Sequence, residues 1–95
     1  MGKRKELYSR AIRQWGVVSQ LLQCAEEASE LSVAAIKVAN RGAKWDNLAE
    51  ECADVSIMIH QMKEALGGEF AARVKKVKSE KLDRLEKRLD DAARA

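Results

Sequence analysis

The sequence predicts an all-α protein: a bundle-like packing of four helices forming a single domain over residues 1–95. Three observations carry this. The chain has no proline, and its alphabet is rich in Ala, Glu, Lys, Leu and Arg, which favour helix over strand. Apolar residues recur at three- and four-residue spacing, the helical period. The five glycines fall between these periodic stretches, where they act as punctuation. A chain of 95 residues builds only a modest core, so stability gained from a second copy is expected.

The first helix is expected from about Lys3 to Trp15, with Leu7, Tyr8, Ala11, Ile12 and Trp15 on one face. Gly16 marks a bend. The second runs from about Val17 to Asn40, with Val17, Leu21, Ala28, Leu31 and Ala35 as its apolar stripe, and Arg41-Gly42 stops it. Asp46 or Asn47 is the expected cap of the third helix, which ends near Gly67-Gly68 and carries Leu48, Val55, Met58, Ile59, Met62 and Leu66 as a stripe. His60 projects opposite that stripe. The fourth starts near Glu69 and aligns Ala71, Val74, Leu82, Leu85, Leu89 and Ala92. The spacing of Leu82, Leu85 and Leu89 is that of a coiled coil.

The net charge is +3, unevenly spread: residues 21–68 carry four basic and eight acidic side chains, between two basic ends. Basic ends can serve nucleic acid, but no helix-turn-helix or RNA-binding signature accompanies them, which argues against that use. Cys24 and Cys52 stand apart, with no CxxC, and fall on apolar faces. Buried free thiols suit a reducing compartment. No apolar run approaches the roughly 20 residues that span a bilayer, and no apolar signal core follows the basic start. A cytoplasmic protein is expected.

On helical wheels, Glu51 falls inside the stripe of the third helix, with Asp54 at its edge. Glu27 borders the stripe of the second, with Glu30 further round on the same side. The short connection from Asn40 to Asn47 makes these helices antiparallel neighbours. Glu30 lies about 15 Å before the turn and Asp54 about 10 Å after it, so the two pairs can face one another. Four carboxylates in a half-buried groove repel, unless protons or a cation intervene. Oxygen-only ligands select hard ions, Mg²⁺ first and Mn²⁺ next; Mg²⁺ usually completes its shell with water and substrate phosphates.

The paired motif stands as Glu26-Glu27-Ala28-Ser29-Glu30-Leu31 and Glu50-Glu51-Cys52-Ala53-Asp54-Val55, with twenty residues between Glu30 and Glu51. In this it resembles the MazG-like all-α nucleoside triphosphate pyrophosphohydrolases, whose motif is ExxE, a variable spacer, then ExxD. Tyr8 to Gln20, Asn40-Arg41-Gly42 and Lys81-Leu82-Asp83-Arg84-Leu85 extend the likeness to small, phage-type or Gram-positive-type members, over nearly the whole chain. The resemblance implies a MazG-type fold assembled as a homodimer or homotetramer. It also implies Mg²⁺ held by Glu27, Glu30, Glu51 and Asp54. The implied reaction is hydrolysis of a (deoxy)nucleoside triphosphate to the monophosphate and pyrophosphate. Where some relatives carry an aromatic residue one turn past the final Asp and an Asn downstream of the helix-four Lys, this chain has Met58 and Leu85, so the preferred base stays open.

Several further residues are candidates. Glu26 or Glu50, beside the metal ligands, could take a proton from water. Lys78 and Lys81 fall on the inward stripe of the fourth helix, where an ammonium needs a partner such as a triphosphate; lysines that merely cover apolar surface are the plainer alternative. Trp15, like Trp45, could stack on a base. Gln20, and Gln23 beside it, could hydrogen-bond base or phosphate. Two rivals remain: a non-enzymatic helical interaction or nucleic-acid-binding module, and a pyrophosphohydrolase acting on phosphoribosyl-ATP.

Overall fold

A computed structural model describes residues Gly2–Ala95 as four α-helices: α1 (Gly2–Trp15), α2 (Val17–Arg41), α3 (Trp45–Leu66) and α4 (Gly68–Arg94). The expected all-α class holds, and no strand occurs among the described residues. No helix of the described residues is long and apolar enough to cross a membrane.

The centre of the molecule is the α2/α3 hairpin. Gly42 adopts the left-handed conformation (φ 65°, ψ 28°) that ends α2, and the Ala43 amide donates to the Lys37 carbonyl at 3.3 Å. Glycine reaches this region without a Cβ penalty, which makes it a common terminator. α3 then begins at Trp45 after an extended Lys44, so neither Asp46 nor Asn47 is its cap. Asp46 instead sits in the first turn, where its charge meets the positive end of the helix dipole.

The buried face of α2 is rotated from the expected stripe. Val17, Gln20, Cys24, Glu27, Leu31, Ala34 and Val38 are its covered residues in this register, while Leu21, Ala28 and Ala35 are exposed. Those covered positions alternate three and four apart, the spacing of an antiparallel helix pair packed along its length. Ala34 is 2% exposed and Met58, on α3, 6%. A methyl at position 34 lets the two backbones approach, and the flexible thioether of Met58 fills the irregular space between. On α3, Leu48, Val55, Met58 and Met62 are covered as expected, but Ile59 and Leu66 are exposed. Cys24 is half-buried and Cys52 exposed, so the expectation of two buried thiols holds only in part. Cys52 lies on the solvent side of α3, next to the inward-facing Glu51.

Gly16 turns α1 back over the hairpin. Its φ of 85° with ψ 157° lies in a region essentially restricted to glycine. The hydrogen-bond ladder runs through the bend, from the Gly16 amide to the Ile12 carbonyl (2.8 Å) and from the Gln20 amide to the Gly16 carbonyl (3.1 Å). α1 thus docks on the face of α3 that carries His60, whose ring stacks on Tyr8 (centroids 5.6 Å apart, planes within 6°). Tyr8, Ala11 and Ile12 are partly covered, whereas Leu7 and Trp15 remain exposed.

α4 departs from a closed four-helix bundle. It packs on α3 alone; Phe70, Ala71, Val74 and Val77 are its partly covered residues, and every residue beyond Val77 is exposed. The consequence is an elongated molecule, 51 × 34 × 23 Å, with a radius of gyration of 16.6 Å, against about 12 Å for a compact domain of this length.

Candidate metal centre

The rotation of α2 turns Glu27 directly into the hairpin seam, opposite Glu51 and Asp54. Each of these three carboxyl groups offers one oxygen that lies within 4.8 Å of the others'. All three are half-buried. Glu27 is oriented from one turn back along α2, where Gln23 Nε2 donates to its Oε2 at 3.2 Å. Glu51 Oε1 is enclosed by protein and has no hydrogen-bond partner. An acceptor buried without a donor costs free energy comparable to a lost hydrogen bond or more, so its persistence calls for a proton or a cation.

The electrostatics express the same crowding. Burial first, then the charges of Asp54, Glu27 and Glu50, push the Glu51 carboxyl above the ordinary 4.5. Glu30 lies outside the three-oxygen cluster on the exposed rim of α2, yet its carboxyl is pushed up to about 7. The hydrogen bond to Glu27 contributes most, followed by the charges of Glu27 and Glu51. A proton held on Glu30 is the cheapest way for the groove to shed one negative charge.

A pH dependence follows. Both carboxyl groups bind protons more tightly when folded than when unfolded, and on Glu30 the folded state holds an extra proton between roughly pH 4.5 and 7. Stability of the metal-free protein is therefore expected to be fully present below pH 4.5 as far as these groups are concerned, and to be lost as pH rises through about 7. Thermal melts in a chelator across this window should show a falling midpoint, and millimolar Mg²⁺ should flatten the fall. A midpoint that rises with pH in the chelator would contradict the crowded groove.

The cluster fits a hard divalent cation. Its donors are all carboxylate oxygens, one is a buried acceptor without a partner, and ligands at about 2.1 Å from an octahedral ion lie about 3 to 4.2 Å apart. Small side-chain rotations would close three oxygens already within 4.8 Å onto such an ion.

The remaining candidates divide. Glu26 and Glu50 are exposed and touch the site only through their charge, Glu26 on Glu30 and Glu50 on Glu51. Gln20 is 5% exposed and lies two turns before Glu27 on the same face, about 10 Å along α2. Trp15 and Trp45 are both largely exposed. Lys78 and Lys81 lie in a shallow groove made only of α4 residues, among them Val74, Val77, Leu82 and Leu85. Within one chain the structure does not bring them to the carboxylates. Gln61 was not singled out by the sequence. Its amide oxygen is buried without a partner, and it lies two turns past Asp54 on the same side of α3, about 10 Å away; its only sequence signal is that seven-residue spacing. Comparisons of the chain with protein-family models, with curated proteins and with solved structures find no match.

Proposed function

We propose that this protein is a Mg²⁺-dependent nucleoside triphosphate pyrophosphohydrolase that cleaves a (deoxy)nucleoside triphosphate to the monophosphate and pyrophosphate. The observation that carries the reading is the convergence of Glu27, Glu51 and Asp54 from two antiparallel helices around a buried, unpartnered carboxylate oxygen. A structural role accounts poorly for that arrangement, because like charges in a half-buried seam weaken the helix pair they join. The same carboxylates, read as a paired ExxE and ExxD motif, add the resemblance to the MazG-like enzymes.

When bound, Mg²⁺ would polarise phosphoryl oxygens and lower the pKa of a water. Glu27, Glu51 and Asp54 would hold it, and Glu30 would join them once its proton is displaced. Gln23, by fixing Glu27, holds one ligand in its working rotamer. Glu26 and Glu50, on the rim, are the candidates to take the proton of the attacking water. Gln20 and Gln61 offer amide groups two turns from the carboxylates, within reach of a nucleotide whose phosphates lie at the cluster. Mn²⁺ would substitute for Mg²⁺.

The test is pyrophosphate release over the common ribo- and deoxyribonucleoside triphosphates, modified bases and phosphoribosyl-ATP, with and without Mg²⁺. The expected result is metal-dependent release with at least one of them. No release from any member would overturn the enzymatic reading and favour a helical interaction module.

A further inference from the structure

From Lys78 to Arg94 every residue of α4 is exposed, and α4 packs on no helix of the chain but α3. It nevertheless carries an apolar stripe, with Leu82, Leu85 and Leu89 exposed by 55, 46 and 61% and Ala92 continuing the line. Helices in water owe most of their stability to packing of such a face, so a projecting helix with a bare leucine stripe needs a partner. The spacing 82, 85, 89, 92 alternates three and four, which makes Leu82 and Leu89 a-type and Leu85 and Ala92 d-type positions of a two-stranded seam.

The flanking charges select the partner and its direction. Lys81 precedes the first a position and Glu86 follows the first d position, so they occupy g and e places. Within α4, Lys81 has Lys78, Val77, Arg84 and Leu85 three and four residues away, and Glu86 has Asp83, Leu82, Leu89 and Asp90. Neither finds an opposite charge on its own helix. By contrast Lys87 and Asp91, on the outer face, pair within the helix at 3.2 Å. In a parallel pair of copies, a g residue meets the e residue five positions later in the partner, which sets Lys81 against Glu86 twice by symmetry. An antiparallel pair would instead oppose Lys81 to Arg88 and Glu86 to its own copy, both repulsive.

We propose that the exposed half of α4 pairs with the same segment of a second copy as a short parallel coiled coil, with Leu82, Leu85, Leu89 and Ala92 in the seam and Lys81 bonded to Glu86 of the partner subunit. This surface contains none of the clustered carboxylates, and the proposal stands whether or not the protein is a hydrolase. It gives Lys81 a role in assembly.

Charge exchange tests it on the full chain. Sedimentation equilibrium at low salt should show association. Lys81→Glu and Glu86→Lys should each raise the dissociation constant about tenfold, and the double exchange should restore it to within about threefold, since each reversal turns two attractive pairs repulsive. Both sites are solvent-exposed, and circular dichroism checks that each variant remains helical. Tighter association of Lys81→Glu would indicate the antiparallel arrangement, and an unchanged constant would place the contact elsewhere; either overturns the proposal. Direction is read separately from Ala92→Cys in a Cys24→Ser, Cys52→Ser background. The parallel seam brings the two thiols together and gives a disulfide-linked dimer under mild oxidation. A chain that stays monomeric there contradicts it.

Discussion

Glu51→Gln is expected to lower kcat/KM for the best triphosphate by at least about a thousandfold, some 4 kcal/mol of transition-state stabilisation, without unfolding the protein. Glu51 is the most enclosed of the clustered carboxylates by its partnerless Oε1, and it sits across the seam from Glu27. An amide of the same shape keeps the packing but supplies a weak, neutral ligand, so a divalent cation loses its innermost anchor. Stability should move the other way. The metal-free groove is strained by like charges around Glu51, and removing one of them relieves that repulsion. A higher melting midpoint in chelator, together with lost turnover, is therefore the signature of a site built for a cation. Activity within tenfold of wild type at saturating Mg²⁺ would remove Glu51 from the site.

Met58→Ala should be the most damaging single change to the fold. Met58 and Ala34 are the only buried apolar residues among those described, so the hairpin has almost no core to spare. Truncating a buried methionine costs about 2 to 5 kcal/mol, and small domains hold only about 5 to 10 kcal/mol in total. For a chain of this size each kcal/mol lowers the midpoint by about 4 to 8 °C, so a drop of roughly 10 to 40 °C is expected in a calorimetric melt. Met58→Leu, which keeps the volume, should cost less than about 1.5 kcal/mol. A Met58→Ala midpoint within a few degrees of wild type would show that the hairpin's stability lies elsewhere, for example in association between copies.

The helices were legible because nothing in the chain conflicts with them: proline is absent, and Gly16, Gly42 and Gly67 stand at the three junctions. The carboxylate pairs were legible through their i, i+3 spacing. The orientation of α2 was not, and the reason is physical. Its buried face includes Gln20 and Glu27, polar residues that an apolar wheel assigns outward, so the wheel turned toward Leu21, Ala28 and Ala35. The candidate site itself hid the face that carries it. Local pattern also could not show that α1 covers the His60 side of α3, because the Tyr8–His60 stack joins residues far apart in sequence. Nor could it show that the stripe of α4 meets no other helix of its own chain. A stripe records the need for a partner without saying whether the partner lies in the same molecule.

Mn²⁺ binding followed by electron paramagnetic resonance tests the central assignment most directly, because it reads the ion at the carboxylates without depending on the identity of the substrate. The free-ion signal should fall as protein is added, and addition of the best triphosphate should alter the spectrum of the bound ion. Glu51→Gln should return most of that signal to the free form, while Glu64→Gln, outside the cluster, should bind like wild type. Binding that survives Glu51→Gln unchanged, or no binding by the wild-type protein at millimolar Mn²⁺, would contradict a metal centre built from Glu27, Glu51 and Asp54.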